Sequence, residues 1–171
     1  MGWEKAEKKY LEAYEKFADG IFRHTYLRLG DREKAKDLTQ ETFLKVWQYL
    51  IGGKSVGNFK AFLYKVASNL IIDETRKKKT DSLDKMQEES GFDPIGEDTP
   101  DLLGKIEFRW AVEKIKALGE DNQDILLYRY IDDLPIKQIA EIVGESENVI
   151  SVRLHRAMKR LKQIIEEKRN V

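Results

Sequence analysis

Between Thr80 and Asp101 the chain loses every helical signal. This stretch holds Asp, Glu, Ser and Gly, two of the three prolines (Pro94 and Pro100) and few apolar residues, with no sustained period. That is the composition of a flexible linker. It divides the chain into residues 1–79, a linker over 80–101 and residues 102–171, so the fold must be built from two small cores instead of one large one. Its charge also hides a pattern: 31 basic and 31 acidic side chains cancel overall, but they are not mixed. Residues 54–79 carry seven basic side chains against two acidic, residues 80–104 one against eight, and residues 153–171 seven against two. Two basic windows flanking an acidic middle point to a nucleic-acid partner that the neutral total conceals.

The periodicity on either side of the linker is helical. Tyr10, Leu11, Tyr14, Phe17, Ala18, Ile21, Phe22, Thr25, Tyr26 and Leu29 recur at spacings of three and four, one face of a first helix. Gly30 and Asp31 then supply a left-handed stop and an N-cap. A second helix carries Ala35, Leu38, Thr39, Thr42, Phe43, Val46, Trp47 and Leu50, and stops at a glycine-rich loop over 51–57. Asn58 is placed to cap a third, with Phe59, Phe62, Leu63, Val66, Ala67, Leu70 and Ile71 inside. Beyond the linker, one helix begins near Leu102 with Ile106, Trp110, Val112, Ile115 and Leu118 and ends at Gly119. Another holds Ile125, Leu126, Tyr128 and Tyr130, and two shorter ones with a tight turn follow Asp132-Asp133. No strand-like alternation is sustained. The predicted fold class is therefore all-α: two small helical domains joined by a flexible acidic linker.

The segment from Pro135 to Arg156 has the spacing of a helix-turn-helix. Pro135 suits a helix start, where its missing N–H has no partner to lose. Ala140 is small where two helices cross, Gly144 takes the turn, Ser146 caps the second helix and Ile150 buries it against the first. Ser151, Val152, His155, Arg156, Lys159 and Arg160 are left on an outward stripe able to face a major groove and its phosphates.

In the third helix Lys60, Lys65, Asn69, Arg76 and Lys77 make up a polar set. Positions 65, 69, 73 and 76 follow one another at spacings of four, four and three, with Asp73 placed to pair along the helix with Lys77. Phe59, Phe62 and Tyr64 offer rings on which single-stranded bases could stack, although Phe59 and Phe62 lie on the apolar stripe and suit the core. The second helix mixes Asp37, Gln40, Glu41 and Thr39 with Phe43, Leu44 and Trp47 around more than one face. That mixture suits a helix docking onto a protein as well as it suits a core helix with solvated edges.

Asp37 to Trp47 together with Phe59 to Lys78 resembles region 2 of the extracytoplasmic-function group of bacterial sigma factors. Tyr128-Arg129-Tyr130-Ile131 and the helix-turn-helix ending Arg153-Leu154-His155-Arg156-Ala157 resemble region 4 of the same group. The resemblance covers nearly all of the chain except the first few residues and the linker. It implies a promoter-specificity subunit of bacterial RNA polymerase, not an enzyme in its own right. On that reading Asp37, Gln40, Glu41, Leu44 and Trp47 dock on the clamp helices of the largest (β′) subunit of core polymerase, whose β subunit is a further partner. Lys60, Lys65, Asn69, Arg76 and Lys77, with the loop from Gly52 to Asn58, recognise the −10 element of promoter DNA and hold its opened strand. Ser151, Val152, His155, Arg156, Lys159 and Arg160 meet the −35 element. The family further implies an anti-sigma factor as a partner and a monomer when free. The chain departs from the family pattern in two places. Gly52-Gly53 stands where the −10 loop often has an aromatic. Asn148-Val149-Ile150-Ser151-Val152 stands where the recognition helix commonly reads Gly-Thr-Val-Lys-Ser.

Other classes are excluded from composition. With no cysteine there are no disulfides, thiolate metal sites or Cys nucleophiles. His24 and His155 are too few for a metal cluster, and no cofactor is expected. Charged residues directly after Trp3 leave no secretory segment, and no apolar run is long enough to span a membrane, so a cytoplasmic protein without membrane insertion is expected. The rival reading is a stand-alone helix-turn-helix regulator. It accounts for the second half and leaves the block over 31–79 without a purpose.

Overall fold

The computed structural model describes residues 2–81 and 102–169, whose regular structure is helical with no strand among them. The chain divides into two compact units, residues 1–92 and 93–171. The predicted linker lies outside the described residues apart from Thr80 and Asp81.

The first unit is three helices, α1 (Trp3–Leu29), α2 (Arg32–Ile51) and α3 (Phe59–Asp81), each packed on both others. Their boundaries follow the local chemistry anticipated above. Gly30 takes φ 67° and donates its N–H to the Tyr26 carbonyl, a conformation that costs other residues a Cβ clash. The Asp31 carboxylate accepts the Lys34 N–H at 3.1 Å, and Asn58 Oδ1 accepts the Ala61 N–H at 3.0 Å. Both satisfy donors that a helix start leaves orphaned. At its far end α3 runs past the basic residues through Asp81, two residues into the predicted linker. There the Thr80 hydroxyl donates to the Arg76 carbonyl at 3.1 Å.

The core of this unit departs from the predicted stripes on α1. Leu11 and Tyr14 are exposed, whereas Ala6, Ala13, His24 and Leu27 are buried. Four successive residues near its end, His24 to Leu27, are buried, so α1 is enclosed there on every side. α2 follows its stripe closely, with Ala35, Leu38, Thr42, Phe43, Val46 and Leu50 inside. In α3 Tyr64 is 3% exposed while Phe59 and Phe62 are only half-buried, so the ring that lay off the stripe is the core ring. Tyr64 meets His24 edge-on at 5.0 Å between ring centres, and His24 Nε2 lies 3.2 Å from the Ser68 hydroxyl. The glycine inside α1 is explained by the same ring: a Cβ on Gly20 would stand 2.9 Å from the Tyr64 hydroxyl oxygen. Glycine there costs about 1 kcal/mol of helix propensity and in exchange admits a buried tyrosine.

The second unit comprises α4 (Leu102–Lys116), α5 (Glu120–Leu126), α6 (Ile136–Val143) and α7 (Glu147–Arg169). α7 is 23 residues long, longer than α4 and not one of two shorter helices as predicted. Gly119 makes the turn between α4 and α5 at φ 86°. Trp110, read as a core position, is exposed, and Val112 and Ile115 do the packing. After α5 the backbone widens into a π-turn over Leu127–Ile131. The Asp132 N–H reaches back five residues to the Leu127 carbonyl at 2.9 Å, the longer loop that defines this geometry. The Arg129 guanidinium donates to the Leu134 carbonyl at 3.2 Å and holds the chain as it leaves the turn. Ile125, Leu126, Leu127, Leu134, Ile139, Ile150 and Ala157 form the fully buried centre.

Candidate functional site

Three outward faces carry the predicted residues. On α2, Asp37, Gln40, Glu41 and Leu44 are all exposed, at the three- and four-residue spacing of a single strip. Leu44 is 52% exposed in the middle of this polar strip, and Ile51 extends it to the end of the helix. A leucine held in water among acids and an amide is uncompensated apolar surface. Phe43, which the sequence grouped with this face, is buried in the core. Trp47 stands half-buried because α1 reaches across to it. Its ring packs edge-on against Trp3 at 5.1 Å and at a tilt against Tyr10 at 5.1 Å, and Phe43 in turn packs against Tyr10 and Tyr14. The Tyr10 phenol is pushed up from its ordinary value, first by burial and then by Tyr14. The sequence carried no signal for Trp3, since contact with Trp47 requires the antiparallel pairing of α1 and α2.

On α3, Lys65, Asn69, Arg76 and Lys77 are exposed. Lys60 is half-buried and stands three and four residues before the buried Leu63 and Tyr64, away from the strip that joins Lys65, Asn69 and Arg76. Asp73 pairs with Arg76 at 2.6 Å, not with Lys77. The loop before α3 turns at Gly53 with φ 78°. Beside it, a groove of about 310 Å³ lies between α1 and the loop, lined among others by Lys9, Lys16, Phe17 and Phe59. Behind α3, Lys34 of α2 forms an ion pair with Glu74. The Glu74 carboxyl is held below its usual range by that hydrogen bond above all, burial opposing it and the charges of Lys34, Lys77 and Lys78 adding to it.

In the second unit the turn of the helix-turn-helix forms as its residues require. Gly144 takes φ 79° and donates to the Ala140 carbonyl at 2.8 Å, and the Ser146 hydroxyl accepts the Val149 N–H at 3.2 Å. Ile150 is fully buried, a contribution of about 1.5–3 kcal/mol. Glu145 pairs with Arg153 at 2.9 Å and ties the turn to the second turn of α7. Ser151, Val152, His155, Arg156, Lys159 and Arg160 are all exposed. They are not equivalent, because the Ser151 hydroxyl donates to the Glu147 carbonyl of its own helix at 2.9 Å. Asn148 and Val149 are also exposed, three or four residues before Val152, and were absent from the predicted set. Helical spacing back from Val152 would have found them.

A model of sigma-70 region 2 matches residues 13–80, and a model of sigma-70 region 4 matches residues 108–161. The chain is 28% identical over 165 residues to the ECF RNA polymerase sigma factor SigL of Mycobacterium tuberculosis, covering 95% of this chain and 92% of that one. It is 27% identical over 162 residues to the ECF RNA polymerase sigma factor SigW of Bacillus subtilis, covering 88% and 86%. The chain belongs to the ECF sigma factors. As a sigma factor it carries region 2 on α1–α3 and region 4 on α4–α7, in the order the motifs implied. A stand-alone regulator is not favoured, since region 2 would then have no role. Two solved structures share the fold of this sigma factor. The sigma factor RpoE of Bartonella quintana, in complex with the anti-sigma factor NepR, matches with a TM-score of 0.72 at 20% identity, covering 93% of this chain and 98% of that one. CnrH, in complex with the cytosolic domain of CnrY, matches at 0.67 and 14%, covering 94% and 90%. Among the described residues of the sigma factor, no helix is long and apolar enough to cross a membrane.

Proposed function

We propose that this sigma factor binds core RNA polymerase through the outer strip of α2 and meets promoter DNA through α3 and α7. The observation that carries the reading is the pairing of a region 2 unit exposing Leu44 among Asp37, Gln40 and Glu41 with a region 4 unit whose α7 exposes Arg156, Lys159 and Arg160. The division of labour is residues 1–79 for core polymerase and the −10 element, 80–101 as connector and 102–171 for the −35 element. In the first part the α2 strip, with Trp47 at its edge, docks on the β′ clamp helices, and the β subunit completes the complex. Lys65, Asn69, Arg76 and Lys77 hold the −10 strand, with Lys60 at the side of the strip. The groove beside the loop offers an unstacked base two rings and two ammonium groups, with the Glu12 carboxylate between them in sequence also on its wall. In the second part α7 enters the major groove, where cations set the register on phosphates and base edges confer specificity.

Melting needs core polymerase, because unstacking costs about 1.4 kcal/mol per base-pair step and these small surfaces do not supply several such steps. The protein carries no chemistry of its own: it is an initiation factor, monomeric when free, and acts in the cytoplasm. An anti-sigma protein is its regulatory partner, as the complexes of RpoE with NepR and of CnrH with CnrY suggest by analogy.

The test is gel filtration of the full chain with bacterial core polymerase, followed by promoter-dependent run-off transcription. Gln40→Ala with Leu44→Ala is the informative variant, because both side chains are exposed and their loss leaves the core intact. Co-elution and new transcripts, both reduced at least tenfold by the variant, are expected. DNA binding as a dimer, with no association with core, would replace this reading with the stand-alone regulator.

A further inference from the structure

The centre of the exposed face of α7 has no hydrogen-bonding group. Val152 stands three residues from Val149 and His155 and four from Asn148 and Arg156, which on a helix makes it the middle of that face. Val149 and Val152 are each 42% exposed, while the apolar groups that pack α7, Ile150, Leu154 and Ala157, are buried. The two valines are therefore not part of the core. Of the polar groups on these turns, the Ser151 hydroxyl donates to the Glu147 carbonyl and Arg153 is paired with Glu145, while Asn148 and His155 flank Val152. Cationic side chains lie further along the helix, at Arg156, Lys159 and Arg160, suited to phosphates. What remains for the bases at the first two turns is a branched apolar surface beside the Asn148 amide. In the major groove the thymine 5-methyl is the one apolar feature that a base edge presents.

We propose that Val152, with Val149 beside it, is a specificity-determining residue that reads thymine in the −35 element by contact with the 5-methyl group. The proposal rests on the reading of α7 as the −35 helix. It predicts that the preferred element carries thymine at the base pair facing Val152 and that the methyl, not a hydrogen bond, is what is recognised there.

Uracil isolates that contribution, since it keeps every hydrogen-bonding group of thymine and lacks only the methyl. Holoenzyme assembled from the full chain and core polymerase would select its element from promoter duplexes randomised across the −35 region. Each thymine of the selected duplex would then be replaced by uracil in turn, on either strand, and binding measured by competition. At one position, the base pair facing Val152, uracil is expected to weaken binding about fourfold, the equivalent of one buried methyl at ~0.8 kcal/mol. Holoenzyme carrying Val152→Ala is expected to bind the thymine and uracil duplexes alike, with its helical content unchanged because the side chain is exposed. A selected element without thymine, uracil duplexes that all bind as tightly as the parent, or a thymine preference that survives Val152→Ala would each overturn the proposal. Binding indifferent to scrambling of the whole −35 region would overturn the −35 reading itself and the proposal with it, a result distinct from loss of methyl sensitivity alone.

Discussion

In the first unit three helices of 27, 20 and 23 residues pack pairwise, and the functional strips lie on the outer sides of α2 and α3. In the second, helices of 15, 7 and 8 residues and a π-turn lead into one long helix, joined to the helix before it by three residues of turn, from Gly144 to Ser146. The interiors differ as well. The first is rich in rings, with Tyr10, Phe43, Tyr64 and His24 meeting across helices, while the second is mainly isoleucine and leucine. A surface carried on long, mutually braced helices is sensitive to the packing behind it. One carried on a helix-turn-helix is sensitive to the backbone of its turn.

The largest effect that would test this difference is expected from Phe43→Ala. Phe43 is buried beneath Tyr10 and Tyr14, and losing an aromatic ring from a core costs about 3–5 kcal/mol. Hydrogen exchange of α1–α3 should accelerate by the corresponding factor, while that of α4–α7 stays as it was; a common acceleration would show that the two units do not unfold separately. Gly144→Val comes next. A branched side chain at φ 79° costs roughly 1–2 kcal/mol, and the strain falls on the turn that aims α7. Affinity for a −35 duplex should drop at least fivefold with core association unchanged. Equal loss of both would remove the distinction between the two surfaces.

The smallest effect is expected from Glu74→Gln, which breaks the link between α2 and α3. The Glu74 carboxyl is held below its usual range in the folded chain, so its contribution is present above the unfolded value of about 4.3 and lost as pH falls through the lower folded one. For a partly exposed pair the amount is about 0.2–1 kcal/mol. Urea unfolding should find the variant less stable by that amount at pH 7, and the gap should close towards pH 3. A gap that persisted at pH 3 would mean the loss came from packing and not from charge.

Much of this could be read before any tertiary structure was known, and the reason is the range of the interactions. Asp31, Asn58 and Ser146 bond to backbone three residues away, and Gly30 and Gly144 adopt a conformation set by their own lack of a side chain. The α2 stripe was correct because α2 buries essentially one side. The departures lie on α1. Near its end His24, Thr25, Tyr26 and Leu27 are all buried, so that part of α1 is enclosed on every side and has no single inward face, while Leu11 and Tyr14 nearer its start are exposed. The choice of Arg76 over Lys77 as the partner of Asp73 is a contest between spacings of three and four that periodicity does not rank.

Helix positions, their caps, the division at the acidic stretch and the outward stripe of α7 are all consequences of neighbours within about one turn, and the amino-acid order contains them. The pairing of Tyr64 with His24 across 40 positions, the cover that Trp3 lays on Trp47 and the widening of the backbone at Leu127 are not. Each depends on which helices meet and how closely, because burial is a property of the assembled unit and no single segment carries it alone.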